Sequence, residues 1–148
     1  TARARTTGTQ APRSSTVSLT GIRASNPLKL ADLVRKGLPF KTLELVGERT
    51  RLSVAGVAVL IDLPARTLVR RREEGRLTAN ESDRLVRLAR IFGLAIGLFE
   101  GDVDRAKAWF ERPQRALGNV TPASAVRTDV GAREVEQLIG RLEHGVVT

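Results

Sequence analysis

The sequence contains no cysteine, no methionine, no tyrosine, one histidine and one tryptophan among 148 residues. Without cysteine there can be neither a disulfide framework nor a thiolate metal site, and nothing points to an oxidising compartment. A bacterial-type cytoplasm is the expected setting. Acid–base and nucleophilic catalysis need convergent reactive side chains, and one histidine close to the end of the chain is a poor supply. No enzymatic activity is expected. His144 next to Glu143 lacks the further ligands a metal requires, and no glycine-rich phosphate loop is present, so no cofactor is expected either. Long apolar runs are also missing. The longest, from Ile91 to Phe99, is well short of the roughly 20 residues that cross a bilayer. The N-terminus shows no apolar core of a secretory signal, and no membrane association is expected.

What is present is charge, unevenly spread. The net charge is +9. Residues 1–77 hold 15 Arg and Lys against 6 Asp and Glu, whereas residues 78–148 hold 10 of each. All of the excess therefore sits in the first half, as it would if that half approached a polyanion and the other half did something else. An unevenly charged, solvated surface is the bland alternative.

The chain reads as all-α. Residues 1–20 are rich in Thr, Arg, Ser, Gly and Pro and hold too few large apolar side chains to offset the entropy of ordering. Together with the approach to Asn26 they are expected to form a flexible basic arm, residues 1–25. Asn26-Pro27 starts a helix that Gly37 stops. Pro39 opens another that Gly47 is expected to close. Ser53 caps a third, carrying Val54, Val57, Ala58 and Ile61. Pro64 opens a fourth, which runs to Glu74 and ends at Gly75. Thr78 and Glu81 form a capping box for the longest helix, over about 78–100. Its second half is apolar all round and must be covered on every side. Gly93 and Gly97 cost about 1 kcal/mol each relative to alanine, which implies the close approach of another helix. A dimer seam through Ile91, Gly93, Leu94, Gly97 and Leu98 and plain packing within one chain both satisfy that pattern. Three further helices follow, over about 102–111, 121–128 and 130–144, with Trp109 read as core.

The third and fourth helices, joined by a tight turn, form a helix-turn-helix. In such motifs the second helix enters the major groove while its other face packs on the first. Leu63 and Leu68 supply the packed side. Arg66, Thr67 and Arg70 are left facing outward, with Arg71, Arg72 and Arg76 available to phosphates. The guanidinium fork suits guanine and phosphate alike. The expected layout is a helix-turn-helix domain over 26–77 and a small helical domain over 78–148.

From Gly75 onward a string of short motifs becomes specific. It runs through Gly75-Arg76-Leu77, Glu81-Ser82-Asp83-Arg84-Leu85, Leu88-Ala89-Arg90 and Ala106 to Trp109 with Pro113. It continues with Arg115-Ala116-Leu117-Gly118, Thr121-Pro122, Gly131-Ala132-Arg133-Glu134-Val135 and Arg141-Leu142-Glu143-His144-Gly145. In this order they resemble the Xre/MbcA/ParS-type antitoxins that pair with RES-domain toxins, and the resemblance covers about residues 40–148. It implies a dimeric antitoxin that neutralises an NAD-consuming toxin and binds operator DNA to repress its own operon. It also implies that the short apolar tail Gly145-Val146-Val147-Thr148, with His144 before it, enters the toxin, and that Arg112, Arg115 and Asn119 in the preceding loop share the contact. Departures are modest: Gly93 and Gly97 stand where better helix formers are usual. Two readings stay open beside it, namely a stand-alone repressor without a toxin and an interaction module whose helix-turn-helix no longer binds DNA.

Overall fold

The structure, a computed structural model, describes residues 19–145. Its helices are α1 (Pro27–Lys36), α2 (Phe40–Thr50), α3 (Ser53–Leu60), α4 (Ala65–Glu74), α5 (Ala79–Leu98), α6 (Val103–Phe110), α7 (Pro122–Ala125) and α8 (Asp129–Glu143), with a 3-10 turn at Arg115–Leu117. No strand occurs among the described residues, where the extended pairings are the isolated bridges Pro39 to Arg76 and Gln114 to Val120. The all-α expectation holds.

Helix starts follow the local chemistry. The side chains of Asn26, Thr78, Asp102, Thr121 and Thr128 each accept a backbone N–H three residues on, and the Ser53 hydroxyl accepts from Gly56 at 3.1 Å. Such a cap is worth about 1 kcal/mol. The Thr78–Glu81 capping box closes in both directions.

α5 is the axis of the fold. Leu85, Ala89, Ile91, Phe92 and Ala95 have no exposed surface, and the helix packs against α1, α6 and α8. Phe92 meets Phe110 edge-on with ring centroids 5.0 Å apart. One core consequently runs from Leu19 through Leu43, Ile61 and Phe92 to Ile139. The expected division at 77/78 falls on the lead-in to α5, and the apolar interior does not break there.

The entry to α5 is stitched to the α1–α2 connection. Leu77 N–H donates to the Leu38 carbonyl and Phe40 N–H to the Gly75 carbonyl, at 2.9 and 3.0 Å. Leu38 N–H donates to the buried Ser82 hydroxyl at 2.8 Å, which in turn donates to the Thr78 carbonyl. Glu81, also buried, accepts from Arg71 Nε at 2.7 Å and from Thr78 N–H at 2.9 Å. Burial alone would raise the Glu81 carboxyl, but the hydrogen bonds from Arg71 and Thr78 outweigh it and hold the group below the ordinary glutamate range.

Three expectations are corrected. The proposed arm, residues 1–25, lies outside the described residues as far as 18, but Leu19 and Thr20 are buried and Ile22 packs on the core. Leu19 and Ile22 are apolar anchors that end any such arm. Gly47 does not close α2. The helix continues to Thr50 and stops at Arg51 in the left-handed region, while Gly47 is buried where α2 crosses the start of α3. A Cβ there would meet the Ser53 carbonyl carbon at 2.9 Å. Gly97, read as a point of close helix approach, is exposed, and a Cβ added to it would find nothing within 4 Å. Within the described residues no helix approaches it.

The two glycines should therefore respond in opposite ways. Gly47→Ala forces backbone against backbone and should cost about 1–3 kcal/mol; Gly97→Ala should gain up to about 1 kcal/mol. Thermal melts of the two variants check this, and a stabilising Gly47→Ala would refute the contact. A second expectation concerns acid. Because the folded Glu81 carboxyl titrates below its unfolded value of about 4.3, its contribution is present above that value and is lost as pH falls through the folded one. The melting midpoint should drop on going from about pH 5 to about pH 3, and Glu81→Gln should flatten that drop while costing about 2 kcal/mol at neutral pH.

Candidate functional site

The turn between α3 and α4 is closed by its own backbone: Asp62 N–H donates to Val59 and Leu63 N–H to Ala58, at 3.1 and 2.8 Å. Asp62 takes a left-handed conformation, φ 56°, which short polar side chains tolerate. Leu63 is buried and Leu68 half-buried, so α4 packs through them on α3 as expected. The opposite side of α4 is open to solvent.

The six residues expected to face DNA divide by what the fold has done with them. Arg66 and Arg70 are exposed and make no hydrogen bond or ion pair with the described residues. Thr67, beside Arg66, is half-buried. Arg72 is exposed with its guanidinium 5.2 Å from the Phe40 ring centroid, which orients it without neutralising it. Arg71 is different. Its side chain is 14% exposed and binds Glu81 and Glu74, and its hydrogen bond to Glu81 raises its pKa further. Arg76 donates to the Gly37 carbonyl and clasps the α1–α2 connection. The expectation that both were free for phosphates is corrected, because tertiary partners occupy them.

At the other end of the molecule α5, α6 and α8 leave an open cleft of about 510 Å³ lined by Leu98, Phe99, Glu100, Arg105, Trp109 and Leu142. Arg105 lies over the Phe99 ring at 5.2 Å. Trp109 is almost wholly buried, as expected of core, yet its edge reaches this cleft. The loop after α6 hangs from the same residue, since the Gln114 amide donates to the Trp109 carbonyl at 3.1 Å. Arg112, Arg115 and Asn119 are exposed on that loop, with Asn119 in the left-handed region. His144 caps α8, its Nδ1 2.8 Å from the Gly140 carbonyl, and Gly145 turns the chain with φ 74°. Val146, Val147 and Thr148 lie outside the described residues. The end of α8 thus reaches the cleft through Leu142, and the loop is tied to the cleft residue Trp109 through Gln114; sequence had placed Leu98 in a dimer seam and Trp109 in the core.

Of the residues expected at a dimer seam, Ile91 and Gly93 are buried inside the chain's own core. A second copy cannot reach them. Leu94 and Leu98 are half-buried and Gly97 is exposed, so these three alone present surface. Among the described residues no helix is long and apolar enough to cross a membrane.

Sequence reasoning missed the arginines that hold the α3–α4 turn from the C-terminal side. Arg84 Nε donates to the Ile61 carbonyl at 2.7 Å, and Arg127 pairs with Asp62. No periodicity announces such partners, which lie 23 and 65 residues apart.

Comparison with known proteins matches two successive stretches of the chain. Residues 29–90 match the family described as an antitoxin Xre-like helix-turn-helix domain, and residues 94–145 match the antitoxin Xre/MbcA/ParS C-terminal toxin-binding domain. Antitoxin Xre of Yersinia enterocolitica is 37% identical over 127 residues, covering 85% of this chain and 86% of that protein. Antitoxin Xre of Photorhabdus laumondii is 36% identical over 129 residues, covering 86% and 87%. The protein of the same name from Pseudomonas putida is 36% identical over 84 residues, or 56% of this chain. With the helix-turn-helix in the first matched stretch and the α5–α6–α8 cleft in the second, the chain belongs to the Xre antitoxin family.

Proposed function

We propose that this chain is the antitoxin of a cytoplasmic toxin–antitoxin pair, that it neutralises a RES-domain, NAD-degrading toxin through the C-terminal end of α8, and that it binds operator DNA through α4 to repress its own operon. The observation that carries the reading is the matched toxin-binding stretch ending at Gly145, which holds most of an open cleft of mixed apolar and charged lining and an exposed polar loop. A chain segment leaving Gly145 starts three residues after Leu142 of that cleft, whose polar lining is Glu100 and Arg105, and His144, Arg112, Arg115 and Asn119 are exposed to a partner. Aromatic side chains and an arginine, here Phe99, Trp109 and Arg105, are residue types enriched at protein–protein contacts. Two copies of the chain meet through the exposed part of α5, at Leu94 and Leu98, with Gly97 beside the seam and open enough to accept a Cβ.

For DNA, the free guanidinium groups are the argument. Arg66 lies in the first turn of α4, where recognition helices meet base edges, and Arg70 lies one turn on. Arg72, oriented by Phe40, serves a phosphate.

Replacing Arg66 or Arg70 with alanine should cost about 1–3 kcal/mol on the operator and relax base preference, whereas Arg72→Ala should weaken all duplexes alike. Arg71→Ala and Arg76→Ala should lower the melting midpoint instead. Anisotropy titrations against specific and random duplexes separate these outcomes, and equal losses on both duplexes for Arg66 and Arg70 would remove them as readers. NAD consumption by the neighbouring RES-type toxin, measured with the full chain and with a version ending at Leu142, tests the other end. Full inhibition by the first and none by the second is expected. Inhibition by both would move the inhibitory surface off the tail, and inhibition by neither would leave a stand-alone DNA-binding protein.

A further inference from the structure

The turn that aims α4 is held from outside the helix-turn-helix. Two groups of that turn bind partners from beyond it: the Ile61 carbonyl and the Asp62 carboxylate. Arg84 of α5 takes the first, at 2.7 Å. Arg127 takes the second with two of its nitrogens on the same oxygen Oδ1, Nε at 3.0 Å and Nη2 closer still. Arg127 belongs to the junction of α7 and α8, inside the stretch matched to the toxin-binding domain.

That junction is a stiff base for a clamp. Arg127 and Thr128 N–H groups close back on the Ser124 and Ala125 carbonyls, the Thr128 hydroxyl caps α8 through Gly131 N–H, and Arg87 of α5 reaches the Arg127 carbonyl. α8 begins so close to α7 that a Cβ on Gly131 would overlap the Ala125 carbonyl oxygen. Val126, next to Arg127, is buried. The guanidinium is therefore carried on backbone that has little freedom to follow it, and Asp62 is two residues from Pro64, which caps α4.

We propose that Arg127 is a positioning residue for DNA recognition: through Asp62 it fixes the α3–α4 turn, so the C-terminal half sets the angle at which α4 presents Arg66 and Arg70. This rests on the DNA-reading role of α4 proposed above. Both partners are a little under half exposed, so the pair adds little to global stability. Its effect is on geometry, which matters most where base edges must be met, and little where only phosphates are.

The test uses the full chain, labelled duplexes tiled across the DNA upstream of its own reading frame, and a random duplex of equal length. Arg127→Ala and Asp62→Ala should each reduce the preference for the specific duplex by about two- to fivefold. The double variant should lose no more than either single one, affinity for random DNA should not fall, and melting midpoints should stay close to that of the unmodified chain. Hydrogen exchange should quicken at the amides of Asp62, Leu63 and Leu68 in both single variants.

Several outcomes overturn the proposal. If Arg127→Ala weakens both duplexes alike with a shallower salt dependence while Asp62→Ala strengthens both, Arg127 is a phosphate contact. Additive losses in the double variant, or an unchanged preference in both singles, also remove the clamp. If the unmodified chain prefers no upstream duplex, the DNA-reading role of α4 falls and the positioning role falls with it. Exchange at the three amides then still decides whether the Arg127–Asp62 contact holds the turn.

Discussion

The first turn of α5 holds three connections in one place. Ser82, fully buried, takes the Leu38 N–H and returns its own hydrogen to Thr78, while Glu81 takes Arg71 and the Thr78 N–H. Each of these groups left without its partner would cost about 1–3 kcal/mol. Together they fix where α1 ends, where α4 ends and where α5 begins. Once α5 is aimed, its apolar stripe has only to be covered, by α1, α6 and α8. The cleft and the helix-turn-helix then fall at opposite ends of that axis because α5 is long enough to separate them.

Arginine is the residue on which structure and function part company in this chain. Arg71, Arg76, Arg84 and Arg127 are spent on carbonyls and carboxylates of the fold. Arg66 and Arg70, on the same helix as Arg71, are left without partners among the described residues. The difference is rotation about the α4 axis: the side that looks toward α5 finds Glu81, and the side that looks away finds water. A cation that the fold does not neutralise keeps its charge for something else.

The same contrast governs what could be read in advance. Caps, stops and stripes are local. Asn26-Pro27, Thr78 with Glu81, Thr121-Pro122 and Gly75 each state their role within four residues, and the helices they bound start or stop where they were expected, although the one begun at Pro122 ends early, at Ala125. Partners distant in sequence are not local, and Arg71 and Arg76 look like any other members of a basic cluster until Glu81 and the Gly37 carbonyl are placed beside them. Glycine is ambiguous for the same reason. Gly75 ends a helix, Gly47 lets two helices touch and Gly97 touches nothing. The ordered C-terminal motifs identified the family, yet not that Leu98, Phe99 and Trp109 would line a cleft with Leu142, since each of those side chains fits a core equally well.

The matched helix-turn-helix stretch ends at residue 90 and the toxin-binding stretch begins at 94, both within the span of α5. A chain cut or melted at that point would leave neither piece with a closed interior. Phe92 would lose the Phe110 ring it meets edge-on, and the packing of α5 on α6 and α8 would be divided. The two halves therefore share one lifetime. A process that unravels α5 from its C-terminal end opens the same apolar interior on which the helix-turn-helix rests.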